Sequence, residues 1–201
     1  AIRLAETGPD LRIAVFAENG VETALANLGG LIGGASVVPI NFHLTAEEVA
    51  YILSDSGARM VFLGPETAER GLEAATLAGI DQIIGWRCEI AGLQSWSEWL
   101  AASSSEEPDT SIPPRPNLLY TSGTTGRPKG THLPPTMFAG GNTVEAHLQN
   151  LKLNPLAALG PHLVVGPMYH TGPLSGARLL AAGAPSVILT KFDPENTLKT
   201  I

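Results

Sequence analysis

The chain has 201 residues, of which 44% are hydrophobic and 15% are charged, and its formal net charge at pH 7 is −7. This composition is typical of a folded globular protein, and the length allows one domain with a real core or one large piece of a bigger protein. The acidic balance argues against a nucleic-acid or anionic-membrane surface. Cys88 is the single cysteine. This excludes a disulfide framework and favours a reducing compartment, which we expect to be the cytoplasm.

Two further classes of protein are disfavoured by residue spacing. The five histidines and one cysteine show no paired short spacing, so no metal site is predicted. Residues 23–42 carry no charge, which is long enough for a membrane span, but four glycines and several polar side chains interrupt them. We interpret this stretch as a buried helix followed by a buried strand.

Apolar patterns alternate between strand and helix through the first half of the chain. Strands are predicted at 12–17, 36–40, 59–64 and 82–86, and helices at 21–35, 45–57 and 66–79. Thr45 followed by Glu48 is a capping-box pattern for the start of the second helix. Unbroken apolar strands separated by helices predict an α/β fold, with a mostly parallel sheet covered by helices on both faces.

The second half continues the alternation after a polar, proline-rich segment. We divide the chain into a first α/β part (1–102), a surface loop (103–117) and a second α/β part (118–201). The second part has predicted strands at 118–120, 162–169 and 186–191 and predicted helices at 136–150 and 174–183. Asp193 and Pro194 would begin a last helix. Because that helix has barely begun at Ile201, we expect the chain to be a fragment.

The stretch "LLYTSGTTGRPKG" at 118–130 carries the strongest chemical signal. An apolar strand followed by small hydroxyl residues and glycines offers unobstructed backbone N–H and hydroxyl donors to an oxyanion. Arg127 and Lys129 add charge that suits a polyphosphate. The predicted phosphate-binding residues are Thr121, Ser122, Gly123, Thr124, Thr125, Gly126 and Lys129. A Ser/Gly linker is the alternative, whereas a nucleoside-triphosphatase P-loop fails because Pro128 stands where its second glycine is required.

This stretch, "YTSGTTGRPKG", resembles the phosphate-loop signature of the adenylate-forming (AMP-binding) superfamily: acyl-CoA synthetases, luciferases and adenylation domains of peptide synthetases. Residues 33–62 resemble an early segment of these enzymes, and residues 164–201 resemble their segment with an aromatic-His-x-x-G turn. The ending "KFDPE" at 191–195 is similar to that of fatty acyl-CoA synthetases. The resemblance implies a partial N-terminal domain of such an enzyme.

The resemblance also implies a reaction and its partners. A carboxylate, with fatty acid favoured, would react with ATP in the presence of Mg²⁺ to give an acyl-adenylate and pyrophosphate, and coenzyme A would then displace AMP. Tyr169, His170 and Gly172 would border the acyl pocket, with Met168 adding apolar surface. His170 as a plain loop residue bonded to backbone is the alternative.

The family's adenine-binding and magnesium-ligating motif and its catalytic lysine are expected after Ile201. We therefore assign no catalytic residue and no metal ligand, and we expect these residues alone to be inactive. A non-catalytic binding or interaction module, an adenylation domain for an aryl or amino acid, and a homodimer all stay open.

Overall fold

The computed structural model describes residues 11–121, 127–133 and 140–201. Its largest sheet has five strands in the order β2-β1-β3-β4-β5, and all of the neighbouring pairs are parallel. The strands are β1 (Arg12–Phe16), β2 (Ser36–Ile40), β3 (Met60–Leu63), β4 (Gln82–Gly85) and β5 (Gln94–Ser95). The predicted α/β architecture with a mostly parallel sheet is confirmed.

Helices cover both faces of this sheet, because successive strand residues point to opposite sides and both sides are apolar. The helices are α1 (Val21–Ile32), α2 (Ala46–Ser56), α3 (Ala68–Ala78) and α4 (Trp96–Ala101). Apolar residues of α2 and α3 share one core cluster with Phe16, Val38 and Val61. Residues of α1 and α4 share the other with Ile13 and Phe62.

Two glycine features decide where α1 lies and ends. A methyl group at Gly30 would collide with the side chains of Ile13 and Val37, so the missing side chain lets α1 approach the sheet closely. The helix ends at Ile32, three residues before the predicted end, because the chain turns at Gly33 and at Gly34, whose φ of 77° favours glycine. By contrast, α2 has the predicted capping box between Thr45 and Glu48.

An aromatic cluster secures one edge of the sheet. The ring of Phe62 lies edge-on to those of Trp96 and Trp99, at centroid distances of 5.7 and 5.3 Å, and Trp86 lies edge-on to Trp96 at 5.7 Å. The sequence patterns missed α4 and β5, which have six and two residues. Elements this short have little periodic signal, and packing of the indole rings holds them in place.

Two small sheets and three helices are found in the described residues of the second half. Strands β6 (Asn117–Thr121) and β7 (Lys129–Leu133) form an antiparallel pair, and β8 (His162–Val164) and β9 (Ser186–Ile188) form a parallel pair. The helices are α5 (Val144–Lys152), α6 (Thr171–Ala177) and α7 (Pro194–Thr200). Short 3-10 helices span Pro155–Ala158 and Arg178–Ala182.

Several predicted boundaries in this half were wrong. The strand predicted at 162–169 ends at Val164, and the one predicted at 186–191 ends at Ile188. The helix predicted at 174–183 is α6 followed by a 3-10 turn. The helix predicted at 136–150 is observed as α5, and its first predicted residues, 136–139, lie outside the described residues.

A side chain from the first half explains the two short strands. Asn19 is 6% exposed, and its amide N–H₂ donates to the carbonyl of Gly166 (2.8 Å) and to that of Leu189 (3.1 Å). Its side-chain oxygen accepts from the backbone N–H of Met168 at 2.8 Å. Backbone groups just beyond β8 and β9 are therefore bonded to Asn19, so the chain satisfies them without extending either strand.

In the described ranges no helix is both long and apolar enough to cross a membrane. The uncharged stretch 23–42 consists mostly of α1 and β2, as predicted.

We expect Asn19→Leu to lower the free energy of unfolding by about 3 kcal/mol, because it leaves two carbonyls and one N–H with no partner in a largely buried position. Urea unfolding of the protein that carries these residues measures this difference. Asn27→Leu is the matched control: Asn27 is also 6% exposed, but its side chain makes one hydrogen bond, within its own helix. Equal losses in the two variants would contradict the role given to Asn19.

Candidate functional site

The β6–β7 hairpin carries the predicted phosphate-binding stretch. β6 begins in the core at Asn117 and Leu118, and its last residue, Thr121, is exposed and pairs with Lys129 at the start of β7. Of the predicted phosphate-binding residues, these two are thus described and lie opposite each other. The other five, Ser122, Gly123, Thr124, Thr125 and Gly126, lie outside the described residues. The sequence patterns missed β7 because its residues, "KGTHL", are mostly exposed and show no apolar alternation.

Two contacts attach this hairpin to α2. The phenol of Tyr120 donates to Asp55 Oδ2 at 2.6 Å, and burial together with this hydrogen bond raises the pKa of the phenol. The guanidinium of Arg127 lies 5.0 Å from the centroid of the Tyr51 ring, within range of a cation–π interaction. Arg127 also lines a groove with Glu47 and Glu48 of α2. It therefore faces α2, whereas the sequence interpretation gave its charge to a polyphosphate.

A cleft of about 310 Å³ lies where four segments meet. Its lining comes from the end of β2 and the residues after it, from α2, from the hairpin, and from the turn before α6 with the first residue of that helix: Pro39, Ile40, Asn41, Leu44, Ile52, Leu119, Tyr120, Thr121, Pro128, Tyr169, His170 and Thr171. The carboxyl ends of parallel strands are where α/β proteins bind ligands. The cleft brings predicted residues from both parts of the chain together.

The turn before α6 places Tyr169 and His170 in this cleft. The Tyr169 ring lies 4.5 Å from the His170 ring and edge-on to Phe42 at 5.8 Å. The backbone N–H of His170 donates to the carbonyl of Pro167, and its exposed side chain lines the cleft. Met168 was predicted to add pocket surface, but it is buried in a core cluster with Ala24 of α1. Its placement follows from the bond between its backbone N–H and Asn19.

A second cavity, of about 260 Å³, lies between α5 and α6. Gly172, predicted to border the acyl pocket, lines this cavity and not the cleft. The other lining residues are His147, Leu151, Asn154, Leu156, His162, Ser175, Gly176, Arg178 and Leu179. A methyl group at Gly176 would collide with the His162 ring, so this glycine keeps the helix close to β8.

The imidazole of His147 is held in one tautomer. Its Nδ1 lies 2.8 Å from the carbonyl of Gly140, which can only accept, so Nδ1 carries the proton. Burial lowers the pKa of His147, and the charge of Arg178 lowers it further, against the raising effect of the Gly140 bond. The neutral ring therefore has a lone pair on Nε2, which is buried and has no hydrogen-bond partner among the residues that the structure describes.

The comparison with protein families matches residues 1–201, the whole chain, to the AMP-binding enzymes. The chain belongs to this family. The resemblance recognised in the sequence is thus confirmed, although the phosphate-binding and acyl-pocket assignments of individual residues stay predictions.

Curated relatives of this AMP-binding chain include a CoA ligase and a CoA synthase. The chain is 32% identical to the long-chain-fatty-acid–CoA ligase FadD13 of Mycobacterium tuberculosis (strain H37Rv), over 90% of this chain and 35% of that protein. It is 33% identical to a feruloyl-CoA synthase of an Amycolatopsis species, over 84% of this chain and 31% of that protein. The chain therefore spans about a third of the length of these relatives.

Solved structures agree on the fold. A long-chain-fatty-acid–CoA ligase, FadD1, from Archaeoglobus fulgidus matches with a TM-score of 0.76 at 21% identity, over 100% of this chain and 40% of that one. ATP-bound MatB from Rhodopseudomonas palustris matches with a TM-score of 0.67 at 26% identity, over 98% of this chain and 38% of that one. At such identities the likeness supports the fold, as predicted.

Sequence reasoning missed residues that the cleft contains. Asn41 and Leu44 lie just after β2. Because ligands bind beyond the carboxyl ends of parallel strands, their position after a predicted strand could have identified them as candidate site residues. Tyr120 was read as part of a strand, although its hydroxyl joins the hairpin to α2. For metals the prediction stands untested: in the described ranges, no three His, Cys, Asp or Glu side chains are grouped to hold an ion.

His147 should make stability depend on pH. Because its pKa is lower in the folded state, the unfolded state binds a proton first as the pH falls below about 6.5. The contribution to stability is complete above that pH and is lost on acidification, by up to about 1.4 kcal/mol per pH unit, until the lowered pKa is reached. Denaturant unfolding at about pH 7.5 and about pH 5.5 should thus show a larger acid loss in the wild type than in His147→Asn.

The control for this measurement is His43→Asn, which changes an exposed histidine. It should leave the acid loss unchanged. A wild type and a His147→Asn variant with the same pH dependence would show that His147 is not buried in its neutral form.

Proposed function

We propose that the protein carrying these residues activates a carboxylic acid with ATP and transfers the acyl group to coenzyme A. A carboxylate oxygen attacks the α-phosphorus of ATP and pyrophosphate leaves. The sulfur of coenzyme A then attacks the acyl carbon, and AMP leaves. The observation that carries the proposal is the cleft in which Thr121, at the end of the phosphate-loop strand, meets His170.

In this proposal the hairpin holds the leaving pyrophosphate. The first step brings two anions together and expels a third, so positioning and preorganised donors dominate its barrier. Lys129 supplies a positive charge at the end of the hairpin where the two strands are connected, directly opposite Thr121. The contacts of Tyr120 and Arg127 with α2 hold the hairpin, and with it Thr121 and Lys129, in position.

ATP is expected to arrive with Mg²⁺, which shares the charge of the phosphates. The residues that the structure describes offer no cluster of carboxylate and imidazole ligands. We therefore assign this ion no ligand in the chain and derive no step through it.

Tyr169 and His170 form the acid side of the cleft in the proposal. The ring of Tyr169, packed against His170 and edge-on to Phe42, provides apolar surface for an acyl group next to the hairpin. A fatty acid is our first choice, since the similar FadD13 is named a long-chain-fatty-acid–CoA ligase. An aryl acid is the second, because the rings of Tyr120 and Tyr169 line the cleft and another relative is named a feruloyl-CoA synthase.

We further propose that residues 1–201 do not complete the reaction by themselves, since they correspond to 35% of FadD13. A non-catalytic binding module is the remaining alternative, and the assays below separate it from a ligase. The half-buried, unpaired thiol of Cys88 is compatible with the cytoplasm, which we propose as the location. A homodimer stays an open proposal.

Lys129→Ala should slow acid-dependent ATP–pyrophosphate exchange about a hundredfold, because a positive charge at the developing pyrophosphate is lost. Thr124→Ala, in the same sequence motif, should also slow this exchange. Lys152→Ala is the control: this lysine is exposed at the end of α5 and does not line the cleft. Unchanged exchange in both loop variants would remove the hairpin from the mechanism, and no exchange in the wild type with any acid would favour the binding module.

His170→Ala should raise the Michaelis constant for the acid, or change the preferred chain length, more than it raises that for ATP. The reason is that the ring lies against Tyr169 on the acid side of the cleft. Steady-state kinetics with a series of acids tests this, with ATP as the internal reference. If only the melting temperature falls and the acid profile is unchanged, His170 is a structural loop residue.

A further inference from the structure

The second cavity contains a buried cation. Arg178 is 7% exposed, and burial lowers the pKa of its guanidinium. Within the described parts of the chain no hydrogen bond or ion pair to this guanidinium is found, and no lining residue of the cavity is acidic. A buried guanidinium is costly unless an anion compensates it. The compensating group is therefore to be sought in the cavity.

A second polar group, the imidazole of His147, lines the same cavity. His147 is 1% exposed, and its Nε2 atom has no partner in the described parts of the chain. The charge of Arg178 acts on this imidazole, so the two groups are within electrostatic reach of each other. An anion bound between them would favour the protonated imidazole, and Nε2–H would then donate to the anion.

The cavity adjoins the cleft of the proposed reaction. Thr171 lines the cleft, and the next residue, Gly172, lines the cavity, so the two spaces lie on either side of the first turn of α6. A methyl group at Gly172 would meet nothing within 4 Å, so no described residue fills the space beside this glycine. Beyond it the wall combines apolar groups, from Leu151, Leu156 and Leu179, with the two basic side chains. Such a wall suits a hydrocarbon stem that ends in an anion.

We propose that the acid activated by this protein has a second carboxylate at its far end, which Arg178 and His147 hold in the cavity between α5 and α6. This inference rests on the proposed acid–CoA ligase function and narrows its substrate class to long α,ω-dicarboxylic acids. The first carboxylate lies beside His170 and reacts with ATP, and the second provides the anion that the buried guanidinium lacks.

The test is ATP–pyrophosphate exchange with matched acids. Straight-chain monoacids, ω-hydroxy acids and α,ω-diacids of equal length are compared by kcat/KM. A site with a buried charge discriminates strongly against a ligand that leaves the charge unpaired, so the wild type should favour the best diacid by about a hundredfold over its monoacid. Arg178→Met, which removes the charge and keeps most of the volume, should abolish this preference.

Two further variants separate recognition from folding. Arg178→Lys keeps the charge and should restore part of the diacid preference, while Lys152→Met removes an exposed cation and should leave the preference intact. The ratio of diacid to monoacid is the decisive readout, because a purely structural defect lowers both rates together.

Each remaining result also decides the question. Activation of monoacids or ω-hydroxy acids in preference to diacids overturns the inference and leaves the ligase function standing. An unchanged ratio in Arg178→Met, with a lower melting temperature, overturns it too and makes Arg178 a structural residue paired elsewhere in the protein. Exchange with none of the acids overturns the ligase function and this inference with it.

Discussion

The position of the turn that brings Tyr169 and His170 to the candidate site depends on the side chain of Asn19. It stands at the carboxyl end of β1, and its three hydrogen bonds reach the backbone of residues 166, 168 and 189. A primary amide can both donate and accept, so this one group satisfies the chain where β8 and β9 end. The turn that follows is thereby fixed against the first sheet, with Tyr169 beside Phe42 and His170 in the cleft. Three hydrogen bonds from one buried side chain thus hold this turn against residues that lie more than a hundred positions away in the chain.

The sequence predicted the first half well because local and tertiary preferences agree there. β1 to β4 are buried on both faces and read as unbroken apolar runs, and α2 has its own capping box. The second half was harder for a physical reason. β8 and β9 are cut short by hydrogen bonds to a residue far away in the chain, and β7 lies exposed beside β6. No pattern within those segments encodes such partners. The hydroxyl- and glycine-rich motif was recognisable, but the contacts of Tyr120 and Arg127 with α2 were not.

The cleft and the second cavity are lined by basic side chains, although the chain as a whole is acidic. With a net charge of −7, the chain repels anions at long range. Yet the described lining of the cleft includes His170, that of the second cavity includes His147, His162 and Arg178, and neither contains an acidic residue. Long-range fields are screened within about 10 Å at ordinary ionic strength, whereas a buried cation acts with little screening. Recognition of an anion by this chain would thus be decided after it enters, by few groups at close range, rather than by attraction to the surface.

The aromatic cluster of the first sheet has a spectroscopic consequence. All three tryptophans of the chain, Trp86, Trp96 and Trp99, lie in this cluster around Phe62. None lines the cleft or the second cavity. The fluorescence of these three residues therefore reports on the β4–α4 edge of the sheet and should not change when a ligand binds at the hairpin or between α5 and α6. If a tryptophan is introduced at either cavity, its fluorescence change can be measured while the contribution of these three residues stays constant, until the first sheet unfolds.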